Sequence, residues 1–245
     1  MNQTVENMDP RIKYPCYKSF DEFFDVQQLK SLDGYIRERI EHRLPARQDR
    51  QFYTGPFLLD ASAPDRPGSR MIYLARSIKP DNYYDLNNAE LWEPTEEASE
   101  FSLLMDFITT LPFAKTGRML IMYDDSGRAV SAHRDHVSHD LCHEFVWFRT
   151  NLDKPFYMLN PDTGEKKYVE SYSAWFDTVN QFHGADAQEG LAFSIRVDGV
   201  FTDEFRKRIP VPASNLASMP ALWAFTSVSK GGELSKDSAL KAPFA

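Results

Sequence analysis

The chain has 245 residues, a formal net charge of −8, and 42% hydrophobic and 13% aromatic residues. That is enough apolar surface for one large domain, which excludes a disordered chain, and the acidic balance excludes a sequence-wide attraction to nucleic acid. Two cysteines, Cys16 and Cys142, make no disulfide framework. Residues 1–13 lack the apolar core of a signal peptide, and no apolar run reaches membrane-span length, so a cytoplasmic protein without a membrane partner is expected.

Residues 18–44 carry Phe20, Phe23, Phe24, Leu29, Leu32, Ile36 and Ile40 at roughly helical spacing and read as helical. Gly34 is either a break between two helices or a weak point within one. Residues 45–69 hold Pro45, Pro56, Pro64, Pro67 and Gly68 and read as loop. Met71–Leu74 is a short strand candidate. A second helix is predicted over Thr95–Leu111, with Thr95 as its cap and Glu96 and Glu97 in the first turn. Phe101, Leu104, Met105 and Ile108 form its apolar stripe, and Pro112 ends it.

Beyond Gly117 the pattern changes to short strands. Candidates are Met119–Tyr123, Phe145–Thr150, Phe156–Leu159, Lys167–Val169, Trp175–Val179 and Leu191–Val197. Turn chemistry separates several of them at Asp124–Gly127, Asn151–Pro155 and Asn160–Gly164. Such a succession predicts an antiparallel sandwich or barrel. From Ile209 the tail is rich in Pro, Ser and Ala, and Leu222, Trp223 and Phe225 can pack back on the core. The expected organisation is one domain over 1–245. It comprises a helical and loop part (1–116), a β core with the functional site (117–200) and a C-terminal extension (201–245).

Four of the six histidines, His133, His136, His139 and His143, fall between positions 133 and 143. In a strand, residues two apart face the same side, so His133 and Asp135 can share one metal ion. His183, from a distant strand, completes a set of two imidazoles and one carboxylate. That set occupies one face of an octahedron and leaves positions open, as in non-haem iron oxygenases. Arg196 can hold an acid group through a forked pair of hydrogen bonds. His136, His139, Cys142 and His143 have ligand types suited to zinc. They lack a paired C-x-x-C and read as solvated loop residues. Arg206-Lys207-Arg208 reads as a solvated charged turn, and Glu144 as a salt-bridge residue at the barrel edge.

H-x-D alone is weak. The order H-x-D, strand-rich sequence, His and then Arg is more specific. With RMLIMYDDSGRAVSAHRDH at Arg118–His136, AWFDTVNQFHGAD at Ala174–Asp186 and LAFSIRVD at Leu191–Asp198, the chain resembles the Fe(II)/2-oxoglutarate oxygenases. The likeness is nearest to the aspartyl/asparaginyl β-hydroxylase-like branch, which includes bacterial proline hydroxylases, and covers roughly residues 117–200. Trp175, Asp177, His183 and Arg196 follow the family's plan.

The resemblance implies a mainly β, jelly-roll or cupin-like double-stranded β-helix with N-terminal flanking helices. It implies Fe(2+) on His133, Asp135 and His183, with 2-oxoglutarate and O2 as cosubstrates. Arg196 would bind the far carboxylate of 2-oxoglutarate, and Ser194, on the same face of its strand, would add a hydrogen bond. Related halogenases lack a carboxylate at the position of Asp135, so its presence here implies hydroxylation of an unactivated C–H bond. The branch often carries R-x-H on the strand after the H-x-D loop. Here that region reads His143-Glu144-Phe145, and His143 and Arg149 are the candidates for binding substrate. A small polar molecule such as an amino acid is the expected substrate. A peptide or protein residue, and a non-redox metal-binding cupin acting as an isomerase or binding module, are the alternatives.

Overall fold

A computed structural model of the chain describes residues 17–43, 70–78, 89–125, 127–135, 144–178, 181–209, 227–228 and 234–235. Its elements in chain order are β1 (Lys18–Ser19), α1 (Val26–Ser31), α2 (Asp33–Arg43), β2 (Arg70–Ser77), β3 (Trp92–Pro94), α3 (Glu96–Glu100) and α4 (Ser102–Thr109). They continue with β4 (Phe113–Asp124), β5 (Val130–His133), β6 (Phe145–Phe148), β7 (Phe156–Leu159), β8 (Lys166–Tyr168), β9 (Ser173–Trp175), β10 (Phe182–Ala185), β11 (Ala192–Phe201), α5 (Asp203–Arg206), β12 (Ser227–Val228) and β13 (Leu234–Ser235). The expected loop over 45–69 and the aromatic residues of the tail lie outside the described residues.

Both expected helices are broken, each for a local reason. In the first, residues 18–19 pair with Trp175 and Ala174 on β9, which takes them out of any helix. The Asp25 side chain then accepts the Gln28 amide at 2.9 Å and caps α1. The break between α1 and α2 falls at Leu32, and Gly34 sits inside the first turn of α2. In the second, Phe101 (φ −104°, ψ 36°) divides α3 from α4. Thr95 stands at the start as expected, but its hydroxyl donates to the Tyr73 carbonyl at 2.7 Å instead of capping the helix.

The strands form a seven-stranded sheet, in the order β1-β9-β6-β11-β4-β2-β3, and a four-stranded sheet, in the order β5-β10-β7-β8. Every paired neighbour in them is antiparallel. A further short pair, β12 with β13, lies near the C terminus. The two longest strands, β4 and β11, pair with each other at the centre of the large sheet. On one face, Phe148 of β6 meets Phe107 of α4, with centroids 5.6 Å apart, so a helix covers that side. The α2 helix is tied in by Arg37, whose Nη1 donates to the Leu191 carbonyl at 2.6 Å. On the other face, Trp147 of β6 stacks on Phe156 of β7 at 4.7 Å, which joins the large sheet to the small one. Phe176 bridges the same interface, 5.6 Å from Phe145 and 5.3 Å from Phe156.

A second aromatic cluster closes the end of the large sheet. Phe205 of α5 sits 5.4 Å from Phe20, 5.1 Å from Phe23 and 5.0 Å from Phe201. Glu144, 1% exposed, accepts the Phe201 amide at 2.8 Å and two guanidinium bonds from Arg206 at 2.6 and 2.9 Å. This is the salt bridge expected of Glu144, and it uses both carboxylate oxygens. It also takes Arg206 out of the solvated charged turn and into the packing of the sheet end.

Candidate metal centre

The three residues singled out as ligands come together between the two sheets. His133 and His183 are register partners across β5 and β10, with ring centroids 4.5 Å apart. Their Nε2 atoms converge on one atom, Oδ1 of Asp135, at 3.9 Å for His133 and 3.6 Å for His183. One ligand atom from each of the three lies within 4.8 Å of the others, and this is the metal-capable cluster among the described residues.

The histidines are aimed by their own backbones. Nδ1 of His133 is 2.8 Å from the Ser131 carbonyl, and Nδ1 of His183 is 3.2 Å from the Gln181 carbonyl. A carbonyl on Nδ1 holds the proton there and leaves the Nε2 lone pair for a metal, the usual outer-shell arrangement of a metal-bound imidazole. In each case the carbonyl belongs to the residue two positions earlier, within β5 for His133 and just before β10 for His183.

The carboxylate arrives differently from the sequence expectation. Strand alternation was to put His133 and Asp135 on one face, but β5 ends at His133 and Asp135 lies in the connection after it. Its position is set instead by its amide, which donates to the Thr178 carbonyl at 2.7 Å. Arg134, between the two ligands, lies over the Phe182 ring at 5.1 Å. Desolvation lowers the Arg134 pKa, and the charge of Asp177, a fully buried carboxylate, opposes that shift. Asp177, Thr178 and Phe182 therefore support the Arg134–Asp135 side of the site.

Electrostatics favour the ligand forms. Burial alone would raise the Asp135 pKa. The closeness of His183, followed by the charges of Arg196 and His133, outweighs it, and the carboxyl sits well below its ordinary range. His133 keeps 49% of its side-chain surface in solvent. Its pKa is nevertheless pushed below the usual histidine value, first by desolvation and then by His183, against the opposing Asp135 and the Ser131 carbonyl. A neutral imidazole and an ionised carboxylate are the forms that bind metal.

Arg196 reaches the cluster from the opposite sheet. Its Nη1 donates to Asp135 Oδ2 at 3.2 Å, while Nε and Nη2 donate to Asp198 Oδ1 at 3.0 and 2.9 Å. Ser194 lies two residues earlier on β11, on the same face by alternation.

Arg149 does not join them. It was expected to bind substrate, but it is 4% exposed and donates to the carbonyls of Ser171 (3.3 Å), Lys154 (2.8 Å) and Val169. Burial lowers its pKa to about 10, so it stays charged at neutral pH. The guanidinium is taken up in holding the turn after β6, and the substrate role is corrected to a scaffolding one. His143, the other substrate candidate, lies outside the described residues, as do His136, His139 and Cys142.

Sequence reasoning passed over Asp198 and Arg118, although both lie in the segments that carry the resemblance. Arg118 Nε donates to Asp198 Oδ2 at 3.0 Å, and Asp198 is 1% exposed. The readable signal was Arg196-x-Asp198 on an otherwise apolar strand, because a buried arginine needs a carboxylate within reach.

No protein-family model matches the sequence, and no curated protein matches it. Among solved structures the chain is similar to a Pseudomonas putida prolyl-4-hydroxylase, at 13% identity and a TM-score of 0.40, over 74% of this chain and 90% of that one. It is also similar to a viral collagen prolyl hydroxylase from Paramecium Bursaria Chlorella virus-1 solved with 2OG, at 10% identity and a TM-score of 0.34, over 76% and 94% of the two chains. The functional reading rests on the site and not on these likenesses. Among the described residues, no helix is long and apolar enough to cross a membrane.

Proposed function

We propose that the chain is an Fe(II)- and 2-oxoglutarate-dependent oxygenase of the aspartyl/asparaginyl β-hydroxylase-like branch, built on a double-stranded β-helix. It hydroxylates an unactivated C–H bond of a small polar substrate in the cytoplasm. The observation that carries this reading is the convergence of two backbone-oriented imidazoles on one ionised carboxylate. The donor set fits iron: two nitrogens and one oxygen suit Fe(II), and three protein ligands leave room for cosubstrate and dioxygen. Bound there, iron would supply the oxidising chemistry, drawing electrons from 2-oxoglutarate.

The protein's own groups do the rest. His133, Asp135 and His183 hold the ion, and Arg196 takes the far carboxylate of 2-oxoglutarate through charge-assisted hydrogen bonds, with Ser194 beside it. A planar guanidinium has five N–H donors, and the bonds to Asp198 and Asp135 use one on each nitrogen. That leaves one donor on each terminal nitrogen for an incoming acid. The aromatic wall of Phe156 and Phe176, 6.0 and 5.4 Å from the His183 ring, keeps water from the buried side of the centre.

The deciding experiment supplies Fe(II), ascorbate, 2-oxoglutarate and air, and measures succinate with and without candidate amino acids. Succinate formation that disappears in His183→Ala is the expected result. Absence of succinate from metal-loaded protein with every candidate would favour a non-redox metal-binding role.

A further inference from the structure

Arg196 is the cosubstrate anchor in the proposed reading, and the role inferred for its neighbour Asp198 rests on that assignment. An arginine that must meet a carboxylate at one place has many rotamers to lose, and a shift of about 1 Å in a binding group can cost a hundredfold in rate. Something has to fix it. Its side chain is 7% exposed and carries a permanent charge.

Asp198 stands two residues further along β11 and so shares its face. One oxygen, Oδ1, receives both Nε and Nη2 of Arg196, which pins one edge of the guanidinium plane. The other oxygen, Oδ2, receives Nε of Arg118 from β4 at 3.0 Å. The Phe145 ring of β6 lies 4.0 Å from the guanidinium carbon and supports the plane from below. Edge and face are thus both fixed, and the remaining terminal nitrogen, Nη1, is directed to Asp135 in the cluster.

We infer that Asp198 is a positioning residue for cosubstrate: it holds Arg196 in the orientation that receives the far carboxylate of 2-oxoglutarate. The charge balance supports this. Two arginines share the one Asp198 carboxylate, so Asp198 orients Arg196 without being its exclusive counter-ion. Its effect on the centre passes through Arg196.

The test compares two 2-oxo acids on Mn(II)-loaded protein by calorimetry. 2-Oxoglutarate has the far carboxylate, and 2-oxobutanoate lacks it. The wild type is expected to bind 2-oxoglutarate the more tightly. Asp198→Asn should weaken 2-oxoglutarate by about tenfold, the scale of one charge-assisted hydrogen bond, and leave 2-oxobutanoate and Mn(II) affinity nearly unchanged. A purely structural role would weaken both acids together, and that outcome, or an unchanged preference, overturns the inference. Asp198→Glu retains the charge for both arginines but displaces it by one methylene. It should fold even if Asp198→Asn does not, and an undiminished preference in it also overturns the inference. Arg196→Ala separates the two levels: if it too keeps the preference, the anchor assignment has failed, and not only the role of Asp198.

Discussion

His133 and His183 face each other as register partners on adjacent antiparallel strands, with ring centroids 4.5 Å apart. Cross-strand neighbours normally contribute by packing. Here each ring is held at Nδ1 by the backbone carbonyl two residues before it, and the pair presents two nitrogens to one carboxylate. Replacing either histidine or Asp135 removes one of three protein ligands. His133→Ala and Asp135→Ala should each weaken Mn(II) or Co(II) binding by more than the ~10–100-fold typical of lost outer-shell partners. Dye competition measures it, and unchanged affinity in both variants would reject the triad.

Arg196→Ala should weaken 2-oxoglutarate by at least about tenfold on metal-loaded protein, because a charge-assisted, forked contact is lost. Affinity for the ion alone should change far less. Calorimetry with and without 2-oxoglutarate separates the two effects.

Gly184, beside His183, has no room for a side chain. A Cβ there would lie 2.7 Å from the Val130 carbonyl oxygen and 2.8 Å from the Tyr157 hydroxyl. The Tyr157 ring can swing aside, but the Val130 carbonyl is backbone and moves only with its strand, so β5 must shift away from β10. Gly184→Ala should lower stability by ~1–3 kcal/mol, as overpacking does. The same shift should loosen the His133–His183 pair and weaken Mn(II) binding. Thermal melting with and without Mn(II) tests both, and equal stabilisation by Mn(II) in variant and wild type would show the pair undisturbed.

The pH dependence derives from two lowered pKa values. His133 titrates below its ordinary 6.5 in the fold, so the unfolded chain binds the proton first as pH falls. Stability of the metal-free protein therefore rises with pH between the folded value and 6.5, and this contribution is lost as pH drops through that window. Asp135 is held well below 3.8, so its contribution is present above 3.8 and is lost only at lower pH. Both shifts favour the ligand forms, and metal should stay bound down to a midpoint under 6.5. Mn(II) titrations between about pH 5 and 8 would show it. A His133 ring that titrates above 6.5 in the metal-free protein, followed by NMR, would contradict the direction of the shift.

Arg149→Ala should destabilise the protein by ~2–4 kcal/mol, since three carbonyls lose their donor and two of those bonds are buried. Its affinity for 2-oxoglutarate should equal that of the wild type. A selective loss of substrate or cosubstrate binding without a drop in melting temperature would restore the binding role first expected of it.

The clustered side chains were legible because they are chemically distinctive: H-x-D, an isolated histidine and an arginine on a mostly apolar strand. Their support was not. The strand β10, which carries His183, reads Phe182-His183-Gly184-Ala185 and is buried at every position, so no alternation marks it. The bond that seats Asp135 runs from its amide to the Thr178 carbonyl, and backbone bonds leave no residue-type signal. Arg149 looked like a binding residue because charge is visible in sequence, whereas the carbonyls that absorb it are not. The flanking helices were found from their apolar spacing. Their breaks fall at Leu32 and Phe101, apolar residues that are buried like the rest of the stripe, so spacing does not mark them.

The two imidazoles differ sharply in exposure, with side chains 49% exposed at His133 and 7% at His183. An ion diffusing in from solvent would therefore meet His133 first and His183 last. Loss would run in reverse, so release from His183 should be the slow step in exchange. A chelator or an imidazole-modifying reagent would attack from the same side, and His133 would react well before its partner. Occupancy of the centre would then be governed kinetically by the deep histidine, while its sensitivity to the surroundings is governed by the shallow one.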